Sequence, residues 1–235
     1  MHKRNCRTDK SDKPMVAIID YGMGNLFSIK NACEYSGMQA NITSCREDIM
    51  NADAVILPGV GAFSDAVASL KSLDLITVIK DFVETTKPFI GICLGMHLLL
   101  NESSEFGHAG GLEIIKGKVV AFDRSFNEKE KPLKIPHIGW SSIHNKNGLW
   151  ENTMLGDLDD GEMMYFAHSF YCELDDPGIA LSTTSYGGVE FYSSFQFKNI
   201  FACQFHPEKS GERGILIYKE LLTKIKKNKE EQIYG

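Results

Sequence analysis

A cysteine stands between two glycines in Gly91-Ile92-Cys93-Leu94-Gly95, after the apolar run Phe89 to Ile92 and before a helix-like run from Leu94 to Leu100. A strand that turns sharply into a helix presents its central side chain at the top of a sheet, as in hydrolases that carry a nucleophile there. Side chains in place of the two glycines would crowd that nucleophile. The thiol would also sit at a helix start, where backbone N–H groups favour the thiolate. The amide of Leu94 would then face an oxyanion formed on a substrate attacked by Cys93. A thiol nucleophile needs a base, and His206-Pro207-Glu208 supplies one with its own orienting carboxylate. If Gln204 to Glu208 is extended, residues two apart point to the same side, so His206 and Glu208 bond to each other while facing Cys93. Pro207 has no N–H and fits a strand end or edge. An inert core cysteine would leave the flanking glycines, the following helix and the downstream His-x-Glu unexplained.

Other motifs are weaker when taken singly. Pro58-Gly59-Val60-Gly61 follows the apolar run Ala54 to Leu57 at the same expected end of the sheet, where open α/β folds bind ligands. Its glycines would let a backbone amide turn toward the oxyanion, although on spacing alone a structural turn is the simpler reading. Gly22-x-Gly24 lacks the third glycine of a dinucleotide fingerprint, because position 27 is Phe. The six cysteines show neither Cys-x-x-Cys pairs nor matching His spacing, so no disulfide framework and no metal site is expected. His137, His144 and His168 read as hydrogen-bonded structural residues, with His168 a candidate to shape a pocket.

Positioning these groups requires a layered fold. Met15 to Ile19, Ala54 to Leu57 and Phe89 to Ile92 read as buried strands, each followed by a glycine-bearing turn. Between them, Asn25 caps a helix that ends at Gly37, and apolar residues recur at helical spacing from Ser64 to Thr86. Strand alternating with helix predicts a parallel sheet with helices on its faces. From about Leu112 the pattern changes to shorter runs, Glu113 to Phe122, Met163 to Phe170, Val189 to Phe197 and Ile200 to Phe205, which predict antiparallel hairpins. A helix over Gly211 to Lys227 closes the chain, with Ile215, Leu216, Tyr218, Leu222 and Ile225 as its buried positions. The expected fold class is therefore α/β, an open and mostly parallel central sheet flanked by helices, with antiparallel additions in the C-terminal half. Residues 1–14 form a polar leader, expected to be disordered, before a single domain over 15–235.

Net charge of −6 disfavours binding to a phosphate backbone. The longest apolar stretches fall far short of the roughly 18 to 20 residues that span a bilayer, and the leader lacks the apolar segment of a secretory signal. A cytoplasmic protein with neither nucleic acid nor membrane as partner is expected.

Together, the cysteine elbow, Pro58-Gly59-Val60-Gly61 and Gln204-Phe205-His206-Pro207-Glu208-Lys209-Ser210 resemble the class I (triad) glutamine amidotransferases. More narrowly, Asp20-Tyr21-Gly22-Met23-Gly24-Asn25-Leu26, Pro136-His137-Ile138-Gly139-Trp140 and His168-Ser169 resemble the glutaminase subunits of imidazole glycerol phosphate synthases. The resemblance implies that Cys93, His206 and Glu208 are catalytic, and that the oxyanion is held at Gly59, Val60 and Leu94. It implies glutamine binding by Gly61, His97, Glu105, Ser169 and Phe170, and a partner interface at Asn25, Trp140 and Lys209. It implies no cofactor, and as partner a barrel-shaped synthase (cyclase) subunit in a heterodimer that uses the ammonia to make imidazole glycerol phosphate and aminoimidazole carboxamide ribotide in histidine biosynthesis. The chain departs from the family at His97, where Gln is usual, and at Phe170 and Ser141, where Tyr and Asn are common. His97 and Phe170 keep open a paralogue feeding another synthase, such as one amidating a cell-surface sugar, and a second alternative, a non-catalytic regulatory subunit, is opposed by the intact Cys93, His206 and Glu208.

Overall fold

Short apolar runs separated by helices build the first half of the chain. Met15–Ile19 (β1), Gln39–Thr43 (β2), Ala54–Leu57 (β3) and Phe89–Ile92 (β4) pair in parallel in the order β2-β1-β3-β4. Leu26–Tyr35 (α1), Arg46–Asn51 (α2), Phe63–Ser72 (α3) and Leu75–Val83 (α4) make the crossovers. The computed structural model describes residues 13–105, 107–123, 133–146 and 148–234. The leader expected over residues 1–14 thus lies outside the described residues except for Lys13 and Pro14, and Pro14 already accepts a hydrogen bond from the Gln39 amide at 2.8 Å.

After β4 comes a short helix, Leu94–Leu98 (α5), then Glu102–Ser103 (β5), Ala109–Gly110 (β6) and Gly117–Ala121 (β7). His137–Ser142 (β8), His144–Asn145 (β9), Met163–His168 (β10) and Phe170–Leu174 (β11) follow. Ala180–Tyr186 (β12), Val189–Phe197 (β13) and Ile200–Cys203 (β14) complete the strands, and Gly211–Tyr234 (α6) ends the described chain. The late strand β14 inserts beside β4 in parallel. Beyond it β13, β11 and β7 continue the same sheet antiparallel, as expected for the C-terminal half. β8 and β10 pair separately as an antiparallel ribbon.

Alternation along the parallel strands sends side chains to two cores. Ala17, Ile19, Val55 and Leu57 pack toward α3, α4 and α5, while Val16, Ile18, Ala54 and Ile56 pack toward α1 and α6. Of the expected buried positions of α6, Tyr218 and Ile225 are buried, whereas Ile215, Leu216 and Leu222 are only partly so, and Ile217 and Leu221 complete the deep stripe instead. α6 also runs past Lys227, where Asn228 donates to the Thr86 carbonyl at 2.9 Å. Both parallel neighbours β4 and β14 end at the same edge of the sheet, which brings position 93 beside the segment from residue 204 to 208.

Candidate active site

At the end of β4 the chain reverses through Cys93, whose φ of 54° and ψ of −111° lie where an L residue is strained. Such a conformation persists only when its surroundings enforce it. Here the Cys93 amide donates to the Cys203 carbonyl at 2.8 Å, extending the β4–β14 pairing into the turn. A Cβ on Gly95 would lie 1.9 Å from the Leu57 carbonyl oxygen, and one on Gly91 would lie 3.0 Å from the Gly95 oxygen. The elbow therefore packs backbone against backbone on β3, and only glycine fits at 95. α5 stops at Leu98, short of the expected Leu100. The cause is pairing with the next segment: Leu112 donates to the Leu98 carbonyl, and Ile114 and Ile115 both donate to that of Leu99.

His206 Nδ1 lies 2.9 Å from Glu208 Oε1, with both side chains almost wholly buried. The pair is made by a 3-10 turn over Pro207–Lys209, not by the extended segment expected from the sequence. Pro207 sits at the first turn position, where a missing N–H costs nothing. Lys209 then donates to the His206 carbonyl at 3.0 Å, which Ser210 Oγ also reaches at 2.7 Å. The His206 amide donates to the Tyr165 carbonyl at 2.8 Å and so fixes this turn to β10. Burial disfavours the charged imidazole, yet the facing Cys93 thiolate, which it hydrogen-bonds, and the Glu208 carboxylate together push the His206 pKa up to about 10. The arrangement therefore favours the protonated imidazolium at His206.

Pro58-Gly59-Val60-Gly61 leaves the end of β3 directly beside this elbow. Gly59 is required sterically, because a Cβ there would lie 2.5 Å from Tyr21 Oη and 2.7 Å from Leu94 Cβ. Tyr21 is buried and donates to the Pro58 carbonyl at 2.8 Å, anchoring the start of the turn. Val60 and Gly61, with Cys93 and Leu94, border a cleft of about 320 Å³.

All five residues expected to bind glutamine line that cleft: Gly61, His97, Glu105, Ser169 and Phe170. Glu105 Oε2 accepts the Phe63 amide at 2.7 Å. Its pKa is raised, by partial burial first and by Asp65, against the opposing effect of that amide. Ser169 is the break between β10 and β11, which splits the run expected over Met163 to Phe170. The break is held by a hydrogen-bonded chain: Ser141 Oγ to His137 Nε2 at 2.9 Å, His137 Nδ1 to His168 Nε2 at 2.9 Å, and His168 Nδ1 to the Phe170 carbonyl at 2.8 Å. A carbonyl only accepts, so His168 carries its proton on Nδ1, and neutral rings then donate in one direction from Ser141 to Phe170. Burial lowers the pKa of His137 to about 4 and that of His168 further still, which keeps both neutral.

His97 is buried, and its Nε2 lies 2.6 Å from Gln204 Oε1. Burial lowers its pKa to about 4 despite this bond. Gln204 in turn places Nε2 3.7 Å from Cys93 Sγ. Sequence reasoning gave Gln204 no role; its place two residues before His206 was the available signal.

The three residues expected at a partner interface lie outside the cleft. Asn25 stands at the start of α1 but does not cap it with its side chain; its Nδ2 instead lies 3.5 Å from Glu208 Oε1. Trp140 is 52% exposed and meets Tyr165 edge-on, while Lys209 sits over the other residue of that pair, 5.9 Å from the Tyr165 ring centre. Ile138 and Met163, both exposed, extend this apolar face of the β8–β10 ribbon. Among the described residues no group of three or more His, Cys, Asp or Glu side chains is placed to hold a metal ion.

Comparison with known proteins gives one consistent answer. The sequence model of the family described as Glutamine amidotransferase class-I matches residues 17–223. The chain is 45% identical over 203 residues to "Imidazole glycerol phosphate synthase subunit HisH" of Sulfurimonas denitrificans, covering 86% of this chain and 95% of that protein. It is 44% identical over 212 residues to the protein of the same name from Caldanaerobacter subterraneus, covering 90% and 99%. The subunit named HisH 1 of Legionella pneumophila strain Paris is 42% identical over 209 residues, covering 88% and 98%. Among solved structures, PurLQS of Thermotoga maritima superposes with a TM-score of 0.65 at 18% identity, covering 90% of this chain and 98% of that one. The glutaminase domain of Trypanosoma brucei CTPS, with acivicin bound, gives 0.61 at 14%, covering 92% and 94%. At those identities the structural likeness concerns the fold.

Proposed function

The chain belongs to the class I glutamine amidotransferases, and on that premise we propose that it is the glutaminase subunit of an imidazole glycerol phosphate synthase in histidine biosynthesis. The observation that carries this reading is the strained Cys93, which lines the cleft and has the buried His206–Glu208 pair beside it, in a chain whose relatives at 42–45% identity bear that subunit name.

Cys93 Sγ attacks the side-chain amide carbon of glutamine, forming a C–S bond as the carbonyl electrons move to oxygen. The amides of Leu94 and Val60, in the turn begun by Gly59, receive the oxyanion. His206 gives its proton to the leaving nitrogen as the C–N bond breaks, and Glu208 holds the imidazole in register. Water, deprotonated by His206, then opens the thioester and returns the electron pair to sulfur, leaving glutamate. Glu105 offers a carboxylate to the glutamine ammonium, while Gly61, Ser169 and Phe170 close round the rest of the amino acid.

Ammonia needs a protected path, since in water it is protonated and lost as a nucleophile. The partner is therefore taken to be a barrel-shaped synthase subunit seated on the face of Trp140, Ile138, Met163 and Lys209, with Asn25 at its edge, forming a heterodimer. Residues 15–235 act as one unit in this reading, and the protein works in the cytoplasm, where the reduced thiol it depends on is maintained. No helix among the described residues is long and apolar enough to cross a membrane.

The division of labour is tested with Cys93→Ala in the assembled complex. Glutamine-dependent product formation should vanish while turnover with ammonium salt continues at the wild-type rate. Loss of both would contradict separate sites for the two chemistries.

A further inference from the structure

Gln204 is completely buried at the end of β14, its amide N–H bound to the Ser193 carbonyl at 2.9 Å. Its side chain bridges two groups, with Oε1 2.6 Å from His97 Nε2 and Nε2 3.7 Å from Cys93 Sγ. The chemistry of the two ends sets the direction of the bridge. With Oε1 toward the ring His97 donates from Nε2, whereas the other tautomer would accept from a flipped amide, so it is the sulfur at the far end that selects between them. The NH2 group then faces the sulfur. A flipped amide would turn its oxygen toward a thiolate and repel it, so the orientation that His97 holds is the one that stabilises negative charge on Cys93.

We propose that Gln204 is a further catalytic residue, an N–H donor to the Cys93 sulfur on a different side from His206, and that His97 is its positioning residue. This deepens the reading of Cys93 as the nucleophile and rests on it. The donor favours the thiolate before attack and again when water expels sulfur from the thioester, and it loses most of its grip while sulfur is bonded to carbon and uncharged. His97 acts on the sulfur through Gln204 and only borders the space for glutamine. The departure from the glutamine usual at position 97 then has a physical meaning: a ring N–H takes over the donor end of an amide toward Gln204.

The test reads the sulfur without glutamine, so its outcome is independent of whether the protein is a glutaminase. Iodoacetamide alkylation of the full-length protein is followed on the Cys93 peptide by mass spectrometry from pH 5 to 10. The titratable groups around Cys93 are His206 backed by Glu208, the neutral His97 and His168 that line the same cleft, and the buried Tyr21, Cys172 and Cys203; all are kept in each comparison apart from His97 where it is the residue varied. Gln204→Leu should slow alkylation at pH 7 by about tenfold, the loss expected for one hydrogen bond to a charged group, and leave the limiting rate at high pH within about twofold. Gln204→Glu, which keeps the shape and removes the NH2 group, gives the same reading should the leucine variant fail to fold. His97→Leu should shift the profile in the same direction, and His97→Gln should restore it. In glutamine turnover His97→Leu should lower kcat with KM within about twofold. Superimposable alkylation profiles for all four variants would overturn the proposal, as would a raised KM with unchanged kcat for His97→Leu.

Discussion

In the proposed reaction the thiol of Cys93 depends on a base that is itself held in place. His206 is held by Glu208 at 2.9 Å, and Asn25 Nδ2 lies 3.5 Å from the same carboxylate oxygen. The Glu208 charge is one of the influences that overcome burial and push the His206 pKa up to about 10. Glu208→Gln keeps the volume and an acceptor for His206 Nδ1 but removes that charge. Its expected effect is a fall in glutaminase kcat/KM of about a hundredfold, with ammonium-dependent synthase turnover unchanged; steady-state kinetics of the complex on both substrates decide it. At this scale the sequence was informative wherever a residue type has few uses. Gly91-Ile92-Cys93-Leu94-Gly95 and His206-Pro207-Glu208 could be singled out by type and spacing. Gln204 could not, because a glutamine at a strand end has many roles and only its two distances give it one.

Elements place those residues by ending at the right points. β4 and β14 are parallel neighbours, so Cys93 and the 204–208 segment emerge together, and Leu57 at the end of β3 fixes how closely Gly95 must approach. The apolar strands β1, β3 and β4 were legible because they are buried on both faces. β2, α2, β8 and β12 did not stand out, being short, or polar along one or both faces, and owing their form to pairing with neighbours. The extended path expected through His206 failed for a related reason: a 3-10 turn brings residues two apart together as well as a strand does, and Pro207 suits its first position.

The ribbon β8–β10 carries the neutral His137–His168 pair, and with His97 these buried rings make a pH prediction at the same scale. In the unfolded chain imidazoles titrate near about 6.5, whereas burial lowers His97 and His137 to about 4 and His168 further. Over the interval between those values the unfolded state binds more protons, so the free energy of unfolding rises with pH. The stabilisation is complete above about pH 6.5 and is lost as pH falls toward 4. Tm should therefore drop progressively from pH 7 to pH 5, with a shallower slope in His137→Phe; identical slopes measured by calorimetry would contradict the account.

The whole molecule separates a cleft for a small amino acid from an exposed apolar ribbon beside it. Trp140, Ile138 and Met163 lie in water in the isolated chain, which suits a surface that is covered in the working complex. Val60 is 42% exposed at the rim of the cleft, on a turn whose start is anchored by Tyr21 and whose Gly59 is tightly packed while Gly61 has space around it. In this account the partner and its substrate complete the oxyanion site by turning that peptide. The open α/β class and the antiparallel second half could be anticipated from the alternation of runs along the chain. The identity of the partner could not, because it is read from a surface, and a tryptophan after a glycine looks the same in a core as at an interface.

The most direct measurement is glutamate release from glutamine by this protein alone and with the cognate synthase subunit, in the presence of the ribulosyl intermediate. The account predicts near silence alone and strong stimulation in the complex. An unchanged rate beside a synthase that turns over ammonium salt would contradict it.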